Sequence, residues 1–137
     1  MDAASALRMH IVADAAVTAL MGTRLYPVHL PQAPEFPAGT YQTVAGIAGY
    51  TNDGADGLTE GRVQIDLYAK DYDVLTACRK AVYDALNGWT GSAGSPPVTF
   101  QGVFWINDGT KSVPGLERAG PDLYRRTLEA TIWFEED

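Results

Sequence analysis

One cysteine, two histidines and ten lysines and arginines in 137 residues mark what this sequence is short of. Cys78 has no second cysteine, so an intrachain disulfide and a thiolate metal cluster are both excluded. Its place among apolar residues of a helical pattern reads as a small buried hydrophobe. His10 and His29 stand in no metal-ligand motif and read as helix-surface and loop residues rather than ligands or proton carriers. None of the serines sits in a nucleophile elbow. The glycine-rich GSAGSPP at 91–97 lacks the lysine and hydroxyl residue of a phosphate loop and reads as a turn. No hydrophobic run approaches the length of a membrane span, and the first residues lack the basic-then-apolar order of a signal peptide, so a cytoplasmic fold without membrane contact is expected. The shortage of cations matters most. Seventeen carboxylates against ten cationic side chains give a net charge of −7. Such a surface repels phosphate backbones on average, which excludes a lasting grip on DNA while leaving room for DNA in transit. No catalytic constellation or cofactor motif stands out, and an enzyme is not expected.

What is present is ordinary in amount and ordered in arrangement. The apolar share is 46% and the charged share 20%, within the range of globular domains. One domain over residues 1–137 is expected, burying roughly two-thirds of its unfolded surface. Residues 2–21 carry a helical pattern, with Leu7, Ile11 and Ala15 on one stripe and seven alanines supplying propensity. Gly22 is placed as its C-cap. A short extended piece, Leu25 to Val28, then meets Pro31, Pro34 and Pro37, which forbid a helix.

Two strands are expected next, over about residues 39–50 and 62–70. The second alternates cleanly: Val63, Ile65, Leu67 and Ala69 form the core set, and Arg62, Gln64, Asp66 and Tyr68 the opposite one. The polar loop at 51–61 between them predicts an antiparallel hairpin with a long projecting tip. Asp71 or Asp73 caps a second helix reaching Leu86, with Cys78 on its apolar stripe. A turn at 91–97, a less regular strand at 98–107 and a turn-rich segment at 108–121 precede the last strand, ended by Glu135, Glu136 and Asp137 as a solvated acidic tail. The fold class is therefore α+β: an antiparallel or mixed sheet with two helices on one face and a long projecting hairpin loop.

Two places invite a functional reading. Asn52, Asp53, Asp56 and Glu60 gather oxygen ligands, but at spacings that miss the alternating calcium loop. A hydrated turn explains them better, with a calcium or ligand module as the lesser alternative. Trp133 falls on the non-core side of the last strand, with Arg125, Thr127 and Glu129. Tryptophan and arginine concentrate at the centres of interfaces, so Trp133, Arg125 and Tyr68 are candidates for a subunit contact. Cover by another part of the same chain is the equal alternative.

Several of these segments also resemble a known family. The block YTNDGADGLTEGRVQIDLYAK at 50–70, the closing DLYRRTLEATIWFEE at 122–136, LMGTRLYP after the first helix and DALNGWTG after the second resemble the tail-completion, or tail-terminator, proteins of long-tailed bacteriophages and phage-derived gene-transfer particles. The resemblance covers nearly the whole chain. It implies a structural virion protein at the head–tail junction, assembled in the bacterial cytoplasm. It further implies a homo-oligomeric ring, usually of six copies, that caps the finished tail tube and meets a head connector or stopper protein, DNA only passing through. Another ring-forming neck protein, an adaptor or stopper, is the alternative within that biology. A six-fold ring needs two different complementary faces on each subunit. Residues expected at the subunit or tail-tube interface are Thr51, Asn52, Asp53, Asp56, Leu58, Thr59, Glu60, Arg62, Tyr68, Arg125 and Trp133. The loop at 51–61 acts in that reading as a contact arm that orders on binding. Some of Asp53, Asp56, Glu60 and Asp66 approach the bore, while Arg62, Arg125 and Arg126 pair across subunits.

Overall fold

A computed structural model describes residues 2–43, 59–112 and 123–136. The helical start is two helices, not one: α1 (Ala3–Val12) and α2 (Ala15–Met21), bent by 85°. Asp14 makes the break. Its Oδ1 accepts from the backbone N–H of Ala16 at 2.9 Å and Val17 at 3.2 Å, which ends α1 and caps α2. Alanine propensity favoured continuation, but a carboxylate that satisfies two orphan amides favours the restart. Gly22 closes α2 at φ 58. Neither helix alone is long and apolar enough to cross a membrane. The later helix, α3 (Tyr72–Leu86), is capped by Asp71, whose Oδ1 accepts from Asp73 and Val74.

Among the described residues six strands form one mixed sheet: β1 (Leu25–Pro27), β2 (Ala38–Thr43), β3 (Thr59–Ala69), β4 (Gly91–Ala93), β5 (Val98–Ser112) and β6 (Tyr124–Glu136), in the order β1-β2-β3-β6-β5-β4. Only β1 and β2 run parallel. The expected antiparallel pairing of β2 with β3 is present; its connecting loop lies outside the described residues. Several boundaries differ from the sequence expectation. β3 begins at Thr59, because pairing with β6 carries on through Thr59 opposite Phe134. GSAGSPP contains a short strand, β4, hairpinned onto β5. β5 runs on to Ser112, and Glu135 and Glu136 pair with Thr99 and Val98 instead of forming a tail. The weak alternation of β5 has a cause: register shifts at Phe100/Gly102 and Trp105/Asn107 insert an extra residue each time.

The helices lie on one face. Leu7, Ile11, Val17, Met21, Leu75, Val82 and Leu86 pack with Val63, Ile65, Leu67, Leu128, Ala130 and Ile132 in one buried cluster. α1 touches β1 and β2 at one end of the strand order and β4 at the other. Six strands at about 4.8 Å spacing are wider than a ten-residue helix is long, about 15 Å, so the sheet curls around the helix layer. Ala3, Ala4 and Ala6, all buried, let α1 sit that close. Polar tips fasten the layer: Trp105 Nε1 donates to the Tyr83 carbonyl at 3.3 Å, and the His10 ring stacks on Trp89 at 3.7 Å. Cys78 is buried as expected, and burial pushes its thiol up to about 11 even though the Arg24 guanidinium pulls it down.

Candidate functional site

The other, convex face of the sheet carries no helix among the described residues. Alternation sends every second residue of β3 and β6 there, and the register stacks them in rows: Glu60 opposite Trp133, Arg62 opposite Thr131, Gln64 opposite Glu129, Asp66 opposite Thr127, Tyr68 opposite Arg125. At the centre Asp66 is 7% exposed. Its Oδ1 accepts from Thr127 Oγ1 at 2.6 Å and its Oδ2 from Gln64 Nε2 at 2.9 Å. This polar cluster holds the two long strands in register from outside, as the aliphatic rows do from inside. Arg62 and Arg125 lie on either side of it, each with a buried Nε that finds no hydrogen-bond partner among the described residues. A buried donor left unsatisfied costs free energy, so both guanidiniums are disposed to donate to an incoming oxygen.

The two ends of this face are apolar. On β5, Phe104 is 55% and Ile106 48% exposed. Gly102 is needed beneath Phe104: a Cβ there would come within 2.7 Å of the ring. Gly102 also pairs with Trp133, so Phe104, Gly102 and Trp133 form one aromatic corner. At the opposite corner the proline segment folds over β2 and β3 and encloses an open pocket of about 410 Å³ with Val28, Leu30, Pro34, Phe36, Tyr68 and Leu123 in its wall. Val28 and Ala33 hold left-handed φ angles of 65 and 49, unusual for residues with a Cβ and strained for a β-branched one. The segment is pinned from below. Val28 N–H donates to the Tyr41 carbonyl at 2.9 Å and Arg24 Nε to the Pro37 carbonyl at 2.9 Å. Lys70 Nζ stands 5.6 Å over the Phe36 ring.

A family model for tail completion protein gp17 matches residues 5–135, spanning both corners of this face. The chain belongs to the tail completion protein gp17 family. The same fold occurs in a chain of a solved "Virion of native gene transfer agent (GTA) particle", with a TM-score of 0.70 and 19% identity over 96% of this chain and 92% of that one. No curated protein matches significantly. As a tail-completion protein the chain is a structural component of a phage-type virion.

For a tail-completion protein the expected interface residues fall into two groups. Glu60, Arg62, Tyr68, Arg125 and Trp133 are brought to one face, in cross-strand rows. Thr59 opens β3, its backbone opposite Phe134. Thr51, Asn52, Asp53, Asp56 and Leu58 lie outside the described residues, and with them most of the acidic cluster. Among the described residues no group of three or more His, Cys, Asp or Glu gathers that could hold a metal ion. Arg126, expected to act with Arg125, points from the other side of β6 by alternation and has an interaction of its own. Phe104, Ile106 and the proline pocket leave no such mark in the sequence. The extra residue at Gln101 breaks the alternation that, continued from Phe100, would have marked Phe104 as inward, and a proline-rich stretch gives no sign of which face it will cover.

Proposed function

We propose that this tail-completion protein forms a homo-oligomeric ring, of six copies, that caps the finished tail tube and joins it to the head connector or stopper, with DNA passing through the lumen. The observation that carries the reading is the family match over residues 5–135. The convex face supports it, since aromatic side chains, two incompletely satisfied arginines and a central polar cluster make a surface suited to protein contact. In this reading the protein works at the head–tail junction by its surfaces, without catalysis or a cofactor, as one domain. Residues 51–58 meet a neighbour or the tail tube, and an acidic lining of the bore keeps DNA from sticking. Arg62 and Arg125 set the register between copies, each exposed ion pair contributing only about 0 to 1 kcal/mol, so apolar contacts carry the ring.

Electron microscopy of the purified protein with and without isolated tail tubes tests this. The expected image is a ring seated on the tube end. Binding to portal-bearing heads and not to tubes would make the protein an adaptor or stopper instead. Deletion of residues 53–58, which leaves β3 whole from Thr59, is expected to give a folded protein that fails to cap tubes; normal capping by that variant would remove the loop from the interface.

A further inference from the structure

The ring reading leaves open which surfaces meet, and the convex face carries a matched pair. One corner is a pocket of about 410 Å³ walled by Val28, Leu30, Pro34, Phe36, Tyr68 and Leu123. The diagonally opposite corner presents Phe104 at 55% and Ile106 at 48% exposure, the largest values for apolar side chains on the described strands. The pocket has room for a dozen or so waters at about 30 Å³ each, enough for an aromatic ring and a branched aliphatic side chain together. The two corners cannot meet within one chain. Thr40, in the pocket wall, lies in the row of Asp66 and Thr127 on β2, whereas Phe104 lies in the row of Arg62 and Thr131 on β5. Three strand spacings and four residues along the strand put them roughly 20 Å apart.

We infer that Phe104 of each subunit, with Ile106 beside it, seats in the proline-walled pocket of the next copy of this chain. The inference rests on the ring reading and names the contact that builds the ring. A knob and a hole on different sides of one subunit give a head-to-tail contact, the kind that closes into a ring when the rotation between copies allows it. The side chains nearest the two corners carry opposite charge. Arg125, with its unsatisfied Nε, stands opposite Tyr68 at the pocket, and Lys70 stands over Phe36. Glu60 faces Trp133 at the aromatic corner, and Glu135 follows two residues on along the same side of β6. Arg62 shares the Phe104 row, and Glu35 beside the pocket is turned to Arg24 at 4.0 Å. The bonds from Val28 N–H to the Tyr41 carbonyl and from Arg24 Nε to the Pro37 carbonyl pin both ends of the proline segment before a partner arrives, which lowers the ordering cost of the contact.

A cysteine pair tests the contact in the full chain assembled as a ring or on tail tubes. Cys78 is buried and its raised thiol stays silent near neutral pH. Phe104→Cys with Pro34→Cys in one chain is expected to give a ladder of covalent multimers on oxidation, while a mixture of the two single variants stops at dimers and neither single variant crosslinks alone. Phe104→Ser is expected to melt as the wild type does and to lose ring formation by tenfold or more. Dimers from Phe104→Cys alone would mean a two-fold contact between like strands and overturn the inference. Rings of the double variant that do not crosslink, or full ring yield from Phe104→Ser, would overturn it and leave the ring standing. A wild-type protein that forms no ring, free or on tubes, would take both readings down.

Discussion

The concave and convex sides of this sheet are built from the same strands in alternation, yet they are held by different forces. On the concave side, Val63, Ile65, Leu67, Leu128, Ala130 and Ile132 are almost fully buried under three helices. On the convex side the equivalent positions are Arg62, Gln64, Asp66, Thr127, Glu129 and Thr131, and the buried centre is a carboxylate with its two donors. The first side is stabilised by area removed from water, which is tolerant of direction. The second depends on directed bonds and leaves aromatic side chains and guanidiniums unspent. A single sheet thus separates the part that folds the chain from the part left to meet other molecules.

Leu128 is fully buried between β3 and β5, and Leu128→Ala is expected to cost about 2 to 5 kcal/mol in denaturant unfolding. A loss under about 1 kcal/mol would mean that the concave side is loosely packed. The thiol of Cys78 reads the same side by pH. Burial raises it from 9.0 to about 11, so between those values the unfolded chain has released a proton that the folded chain still holds. Stability should be unaffected by this group below pH 9 and should fall by roughly 1.4 kcal/mol per pH unit toward 11. Comparing the alkaline slopes of wild type and Cys78→Ala isolates it; equal slopes would place the thiol in contact with water.

On the convex side the polar centre is the test. Asp66→Ala strands Thr127 Oγ1 and Gln64 Nε2 and is expected to cost about 1 to 3 kcal/mol, less than the leucine, without changing the helix content seen by circular dichroism. If the variant were as stable as wild type, the rows of β3 and β6 would be held from the concave side alone.

The concave side was legible in the sequence because burial imposes a period. Val63 to Ala69 and Leu128 to Phe134 alternate without interruption, and the α3 stripe from Leu75 to Leu86 repeats at helical spacing. The convex side was legible only where it shared those strands: Glu60, Arg62, Tyr68, Arg125 and Trp133 follow from the same alternation by subtraction. It was illegible where geometry depended on single residues. An extra residue in β5 between Phe100 and Gly102 turned Phe104 outward, Asp14 used its side chain to restart a helix, and left-handed turns at Val28 and Ala33 carried the prolines over the sheet. Each is a local choice between conformations close in energy, and periodicity alone does not decide it.

Ile106 sits at the second bulge, 48% exposed, on the convex side. Exchanging it for threonine keeps the β-branch that suits a strand and removes apolar surface that the isolated subunit leaves largely in water. Ile106→Thr should therefore change monomer stability by no more than about 0.5 kcal/mol. A side chain of the same type on the concave side, Ile65 or Ile132, would cost several times that when replaced by threonine, because a hydroxyl would enter the core without a partner. Melting curves of Ile106→Thr and Ile65→Thr measured side by side give the ratio. A loss above about 1 kcal/mol at Ile106 would mean that the convex corner is packed against its own chain, and its apolar surface would no longer be free for a second subunit.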